Sequence, residues 1–144
     1  MTHAVAGNWA LARIRWTLLT GCAFFVATSA VEAQTAWIGD PSANDWYTAA
    51  NWDNGVPTSA DDTVIDTPAN LVNINGGSAS TDDLVVGASQ TGQLWIYNGA
   101  VLDTFGAATI GENAGSTGIV QLEDAGTEWN VTGALSVGGG GIGG

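Results

Sequence analysis

Three sequence-adjacent acidic pairs, Asp61-Asp62, Asp82-Asp83 and Glu123-Asp124, are the groups with which this chain could do acid–base chemistry. Two carboxylates can share the roles of proton donor and base around one bond, as in glycoside hydrolysis, provided that they flank it. Neighbours along a strand point to opposite faces, so adjacent pairs are poorly placed for that work unless they sit on turns. After Ala33 the only titratable side chains besides carboxylates are Tyr47 and Tyr97. The expectation is therefore no enzyme activity, with no catalytic residue assigned.

Calcium binding is the second chemistry open to unpaired carboxylates, because this hard cation takes six to eight oxygens from loops. The loop signals are incomplete. No Asp-x-Asp-x-Asp-Gly run occurs, and the glycine-rich tail Gly138 to Gly144 lacks the aspartate of calcium-binding nonapeptides. No cofactor is expected beyond weak calcium binding, and the carboxylates read as a solvated acidic face. Nor can the tail cradle phosphate, since its glycines precede neither a helix nor a lysine.

Trp37, Trp46, Tyr47 and Trp52 fall within 16 positions of one another, and rings at that density have two uses. They can cover the open end of a stacked core, or they can form a platform that stacks on sugar faces. Burial at about 25 cal/mol per Å² of apolar area favours the cap. The platform stands as the alternative, a carbohydrate-binding module built on Trp37, Trp46 and Trp52.

The elements that must position these groups follow from an internal repeat. Val86-Gly87, Ile110-Gly111 and Val137-Gly138 each close an apolar run and open a turn, at spacings of 24 and 27 residues. Thr91-Gly92-Gln93-Leu94-Trp95-Ile96 answers Thr117-Gly118-Ile119-Val120-Gln121-Leu122, and Gly106 to Gly111 answers Gly133 to Gly138. Within each copy apolar residues alternate, as in Leu94/Ile96, Val120/Leu122, Trp129/Val131 and Leu135/Val137, the period of a strand with one buried face. Short strands parted by glycine turns and recurring at this interval predict an all-β fold, a right-handed parallel β-helix or β-solenoid. The tail reads as an exposed turn that stops in mid-coil.

Residues 1–33 differ in composition from the rest. Arg13 and Arg15 precede an apolar run from Trp16 to Ala30, and Val31-Glu32-Ala33 suits a signal peptidase, so cleavage before Gln34 is expected. That run of 15 residues is short of the roughly 20 needed to span a bilayer. Leu19-Thr20-Gly21-Cys22 resembles a lipobox, but the six residues between Arg15 and Cys22 leave no room for an apolar core ahead of the cysteine. The chain divides into a signal peptide with a short signal helix (1–33), an N-terminal capping β segment (34–80) and solenoid repeats (81–144).

Without Glu32, Arg13 and Arg15, the fourteen acidic and two basic residues become thirteen and none, a net charge of −13. Such a chain repels nucleic acid and anionic lipid. It can make no side-chain salt bridge and, lacking cysteine, no disulfide. Pectin-degrading enzymes use the β-helix fold too, but they work on polyanions with cationic residues, which this chain does not have after Ala33.

Trp37-Ile38-Gly39-Asp40, Asp45-Trp46, Ala50-Asn51-Trp52, Gly55-Val56-Pro57-Thr58 and Asp61-Asp62 together resemble the start of many autotransporter passenger domains. The stretch Thr91 to Gly138, with Gly126-Thr127-Glu128-Trp129 and its closing Val-Gly, resembles the repeat shared by type V secretion (T5SS) passengers and PEP-CTERM sorting-signal surface proteins. The resemblance implies a β-helical passenger carried across the outer membrane of a Gram-negative-type bacterium by a C-terminal barrel and displayed or released as an adhesin. This chain has no set of amphipathic strands that could close such a barrel, so it reads as an N-terminal fragment of a passenger. The expected partners are the export machinery and surface glycans or neighbouring cell surfaces. A secreted polysaccharide hydrolase stands third, behind the adhesion and carbohydrate-binding readings.

Overall fold

The computed structural model describes residues 32–39, 44–68 and 71–144. The expected signal helix lies outside them, apart from Glu32 and Ala33 at the edge of the expected cleavage point.

The described residues hold twelve strands: β1 (Ala33–Ala36), β2 (Asp61–Ile65), β3 (Leu71–Asn75), β4 (Ser78–Thr81), β5 (Leu84–Val86), β6 (Thr91–Tyr97), β7 (Val101–Thr104), β8 (Ala108–Ile110), β9 (Thr117–Leu122), β10 (Glu128–Val131), β11 (Leu135–Val137) and β12 (Ile142–Gly143). A single 3-10 turn at Ala49–Asn51 is the one helical element among the described residues. The strands form three parallel sheets, ordered β1-β2-β5-β8-β11 in the first, β3-β6-β9-β12 in the second and β4-β7-β10 in the third. From β2 onward each strand therefore pairs with its counterpart one coil away and not with its neighbour in sequence, while β1 pairs directly with β2. The result is a β-solenoid of about four turns. No helix of the described residues is long and apolar enough to cross a membrane.

Alternation fixes which side chains fill the interior. In the second sheet Val72, Leu94 and Val120 share one row, and Ile74, Ile96 and Leu122 share the next. In the first sheet Ile65, Val86, Ile110 and Val137 form one column, which places the three Val/Ile-Gly markers of the sequence repeat one above another. The third sheet contributes Ala79, Leu102 and Trp129. Where the interior turns polar, partners are built in. The Thr63 and Thr81 hydroxyls lie 2.7 Å apart, and the Thr81 hydroxyl reaches the Asp61 and Asp83 carbonyls, each at 2.8 Å.

The conserved spacing of the repeat's glycines has a steric cause at the corner between the first and second sheets. Gly92, Gly118 and Gly143 stack in register. A Cβ on Gly118 would collide with the Val86 carbonyl oxygen, and one on Gly92 with the Ile65 carbonyl oxygen. Opposite them Gly87, Gly111 and Gly138 adopt φ of 78°, 70° and 70°, a region that side chains make costly.

Two segments depart from the sequence reading. β2, β3 and all of β4 but Thr81 lie within the stretch 34–80 assigned to the cap, and the three strands form a full coil in register with β5, β6 and β7. Its marker is hidden because Asp66 stands after Ile65 where later coils have glycine. The tail, read as an exposed turn, instead lays β12 beside β9, with Ile142 opposite Thr117 and Gly143 opposite Gly118.

Candidate functional site

Beyond β1 the chain leaves the first sheet at Trp37 and returns through Trp52, the two joined by an antiparallel bridge. Residues 44–46 lie along the outer edge of β3: the Trp46 amide donates to the Asn73 carbonyl at 2.9 Å, and the Asn73 amide to the Asn44 carbonyl at 2.7 Å. This path drops Trp46 into the row of Ile74. Trp37 and Trp52 are each 3% exposed and Trp46 is fully enclosed. Their rings meet edge to face, with centroids 4.9 Å apart for Trp37–Trp52 and 4.8 Å for Trp46–Trp52, the arrangement that aromatic quadrupoles prefer. The Trp52 indole N–H donates to the Trp46 carbonyl at 2.7 Å.

Rings so enclosed present no face to a sugar, so the platform reading of Trp37, Trp46 and Trp52 finds no accessible surface here. Tyr47, the fourth of the sequence-derived aromatics, is 39% exposed and donates its hydroxyl to the Gly76 carbonyl at 2.9 Å. Burial of its ring, and secondarily the Asp45 carboxylate, push its ionisation above the ordinary tyrosine range.

The three acidic pairs are not brought together as pairs. Asp61 accepts hydrogen bonds from the Thr58 amide at 2.9 Å and the Thr58 hydroxyl at 2.6 Å. Asp83 accepts from the Ala107 amide at 2.6 Å, and Asp124 from the Asn98 amide at 3.1 Å. Glu123 accepts from the Gln121 side chain. Members of all three pairs are thus engaged in holding turns and surface side chains.

Coil stacking assembles a different carboxylate group, Glu32, Asp62 and Asp82, with one oxygen of each within 4.8 Å of the others. Repulsion from Asp82 and Asp62 raises the Glu32 carboxyl above its ordinary range. Oxygen donors of this kind suit a hard divalent cation, but with one oxygen from each carboxylate the group supplies three of the six to eight oxygens calcium takes, and Glu32 precedes the expected cleavage point.

The surface that sequence reasoning overlooked is the outer face of the second sheet. Trp95 and Tyr97 alternate with the enclosed Leu94 and Ile96, so both rings stand on the solvent side. They form a tilted pair with centroids 4.9 Å apart. Asn73 lies beside Trp95 on one neighbouring strand and Gln121 on the other, while Asn75 lies beside Tyr97. The bridge between Asp45 and Asn73 extends the same row by one more position. The Asn98 amide group donates to the Asn75 side-chain oxygen at 3.2 Å. Asn73 Oδ1 and Trp95 Nε1 have no hydrogen-bond partner. Alternation alone places Trp95 outward, so the signal was present in Leu94-Trp95-Ile96; the dense cluster at Trp37 to Trp52 masked it.

No protein-family model, curated protein or solved structure matches this chain.

Proposed function

We propose that this chain is a non-catalytic stretch of an exported, cell-surface β-solenoid of the passenger type, whose task is to hold an adhesive or display surface away from the cell. One observation carries the reading: every coil offers outward side chains in fixed rows, while members of all three candidate acid–base pairs are already committed to turn and side-chain hydrogen bonds. A stack of this kind supplies a long ordered surface at the cost of one coil per step. The signal-like residues 1–33 and the likeness to passenger repeats support export to the surface of a Gram-negative-type bacterium.

The test joins location to chemistry. In intact source cells the protein is expected to be open to surface biotinylation and added protease, with a mature N-terminus at Gln34 by mass spectrometry. Purified protein is expected to release no reducing ends from a polysaccharide panel. A chain that keeps Met1 and stays shielded inside the cell overturns the display reading. Turnover abolished by Asp61→Asn or Asp83→Asn overturns the non-catalytic one.

A further inference from the structure

We propose that the outer face of the second sheet, centred on Trp95 and Tyr97, is a binding platform for a neutral polysaccharide. The inference rests on the display reading above and names the class of ligand that the displayed surface would take.

Aromatic placement is the first argument. Among the described residues, only this one of the three outer faces carries aromatic rings on its strands; the outward positions of the first and third sheets hold small, aliphatic, polar or acidic residues. A pyranose presents weakly positive C–H groups on its faces, which match the negative face of an aromatic ring. Trp95 and Tyr97 are partly exposed on β6, with ring centroids 4.9 Å apart. An extended chain can lie across such a surface.

The polar groups in the same rows are the second argument. Sugar hydroxyls lie around the ring edge and both donate and accept. Asn73, Asn75 and Gln121 carry side-chain amides that do the same, and Glu123 beyond the end of β9 adds a carboxylate acceptor. Asn73 Oδ1 and Trp95 Nε1, an acceptor and a donor on laterally paired residues, lack any partner within the protein. Both atoms are buried, as are the five others in the described residues that lack a partner. These two, however, are the pair that lies side by side at the aromatic face, where a ligand hydroxyl could satisfy them if the side chains turn outward.

Charge selects among glycans. Every Lys, Arg and His of the sequence lies before residue 16, and residues 34–144 carry thirteen carboxylates. No cation on this face can pair with a uronate or sulfate, so a polyanionic glycan is repelled while a neutral one is not. Neighbouring strands are about 4.8 Å apart, so the row Asn73, Trp95 and Gln121 spans about 10 Å, more than the length of one sugar.

The probes are cellohexaose, xylohexaose, mannohexaose and chitohexaose, with polygalacturonate as the anionic comparison, titrated into the mature protein with tryptophan emission and calorimetry as readouts. At least one neutral hexasaccharide is expected to bind saturably, and Trp95→Ala to weaken it about tenfold, the value of one ring contact. Trp95→Phe should restore part of the loss, and Asn73→Ala should weaken binding with both rings in place. A far-ultraviolet circular dichroism spectrum unchanged from wild type shows that the variants fold. No binding by any neutral probe, equal binding by wild type and Trp95→Ala, or preference for polygalacturonate each overturns the platform. A protein that labels at the cell surface yet binds no neutral glycan defeats this inference alone; one that binds but is retained inside the cell defeats only the display reading.

Discussion

Along the column Ile65, Val86, Ile110 and Val137 exposure runs 0, 0, 5 and 54%, although all four residues are aliphatic, inward-facing and in register. The second sheet repeats the contrast, with Ile96 enclosed and Leu122, its in-register counterpart, 45% exposed. At the N-terminal end of the stack three tryptophans cover the rows; at the C-terminal end Leu135, in register with the buried Leu84 and Ala108, is 52% exposed. Burial in a solenoid is therefore a property of the next layer and not of the residue. An end is closed only when the chain spends large side chains on it, each worth roughly 4–6 kcal/mol of transfer free energy before ordering costs.

The largest expected effect is removal of that closure. Trp46→Ala deletes a fully enclosed ring that touches Trp52 and lies over the end of the second sheet. It should cost about 3–5 kcal/mol, a large part of a domain's marginal stability, read as a lower urea midpoint at unchanged slope. A loss below about 1 kcal/mol would mean that the first complete coil does not depend on its cap.

A smaller, internal comparison uses one row twice. Ile96→Ala should cost about 2–5 kcal/mol because a coil lies on each side of it. Leu122→Ala should cost about 1 kcal/mol, since almost half of that side chain already meets water. Equal losses at the two positions would show that the C-terminal coil packs more tightly than its exposure indicates.

The same contrast explains what was legible in the sequence. Val86, Ile110 and Val137 revealed the column because each is followed by a glycine that must take positive φ at the corner. The coil containing Ile65 was not legible, because Asp66 occupies the glycine's place and no spacing rule survives that exchange. The density of Trp37, Trp46 and Trp52 indicated covered rings, but the choice between cap and platform depends on exposure, which no local pattern encodes. Glu32, Asp62 and Asp82 stand 20 to 50 positions apart in the chain, and only coil stacking brings their carboxylates within 4.8 Å.

Asp66 carries the finest form of the comparison, since a titratable group stands there at the corner where the later coils have Gly87, Gly111 and Gly138. Its carboxylate accepts from the Ser89 amide at 2.9 Å, the Ser89 hydroxyl at 2.7 Å and the Gln90 amide at 2.7 Å, pinning the turn of the next coil. Partial burial alone would raise its ionisation, but the hydrogen bonds from Ser89, Gln90 and Ala88 outweigh it and hold the carboxyl below its ordinary value of 3.8. A carboxyl depressed on folding stabilises fully above its unfolded value and loses that contribution as pH falls through the folded one. At the next corner backbone bonds do the equivalent work, Gly111 to the Val86 carbonyl at 2.9 Å and Glu112 to the Gly87 carbonyl at 2.9 Å, and backbone does not titrate. On acidification below about pH 4 the Ser89 and Gln90 amide resonances should therefore move with a common inflection while those of Gly111 and Glu112 do not follow it. Asp66→Asn should lose stability at neutral pH and show a shallower decline into acid than the wild type, and parallel declines in the two proteins would show that the corner is held by something other than this carboxylate.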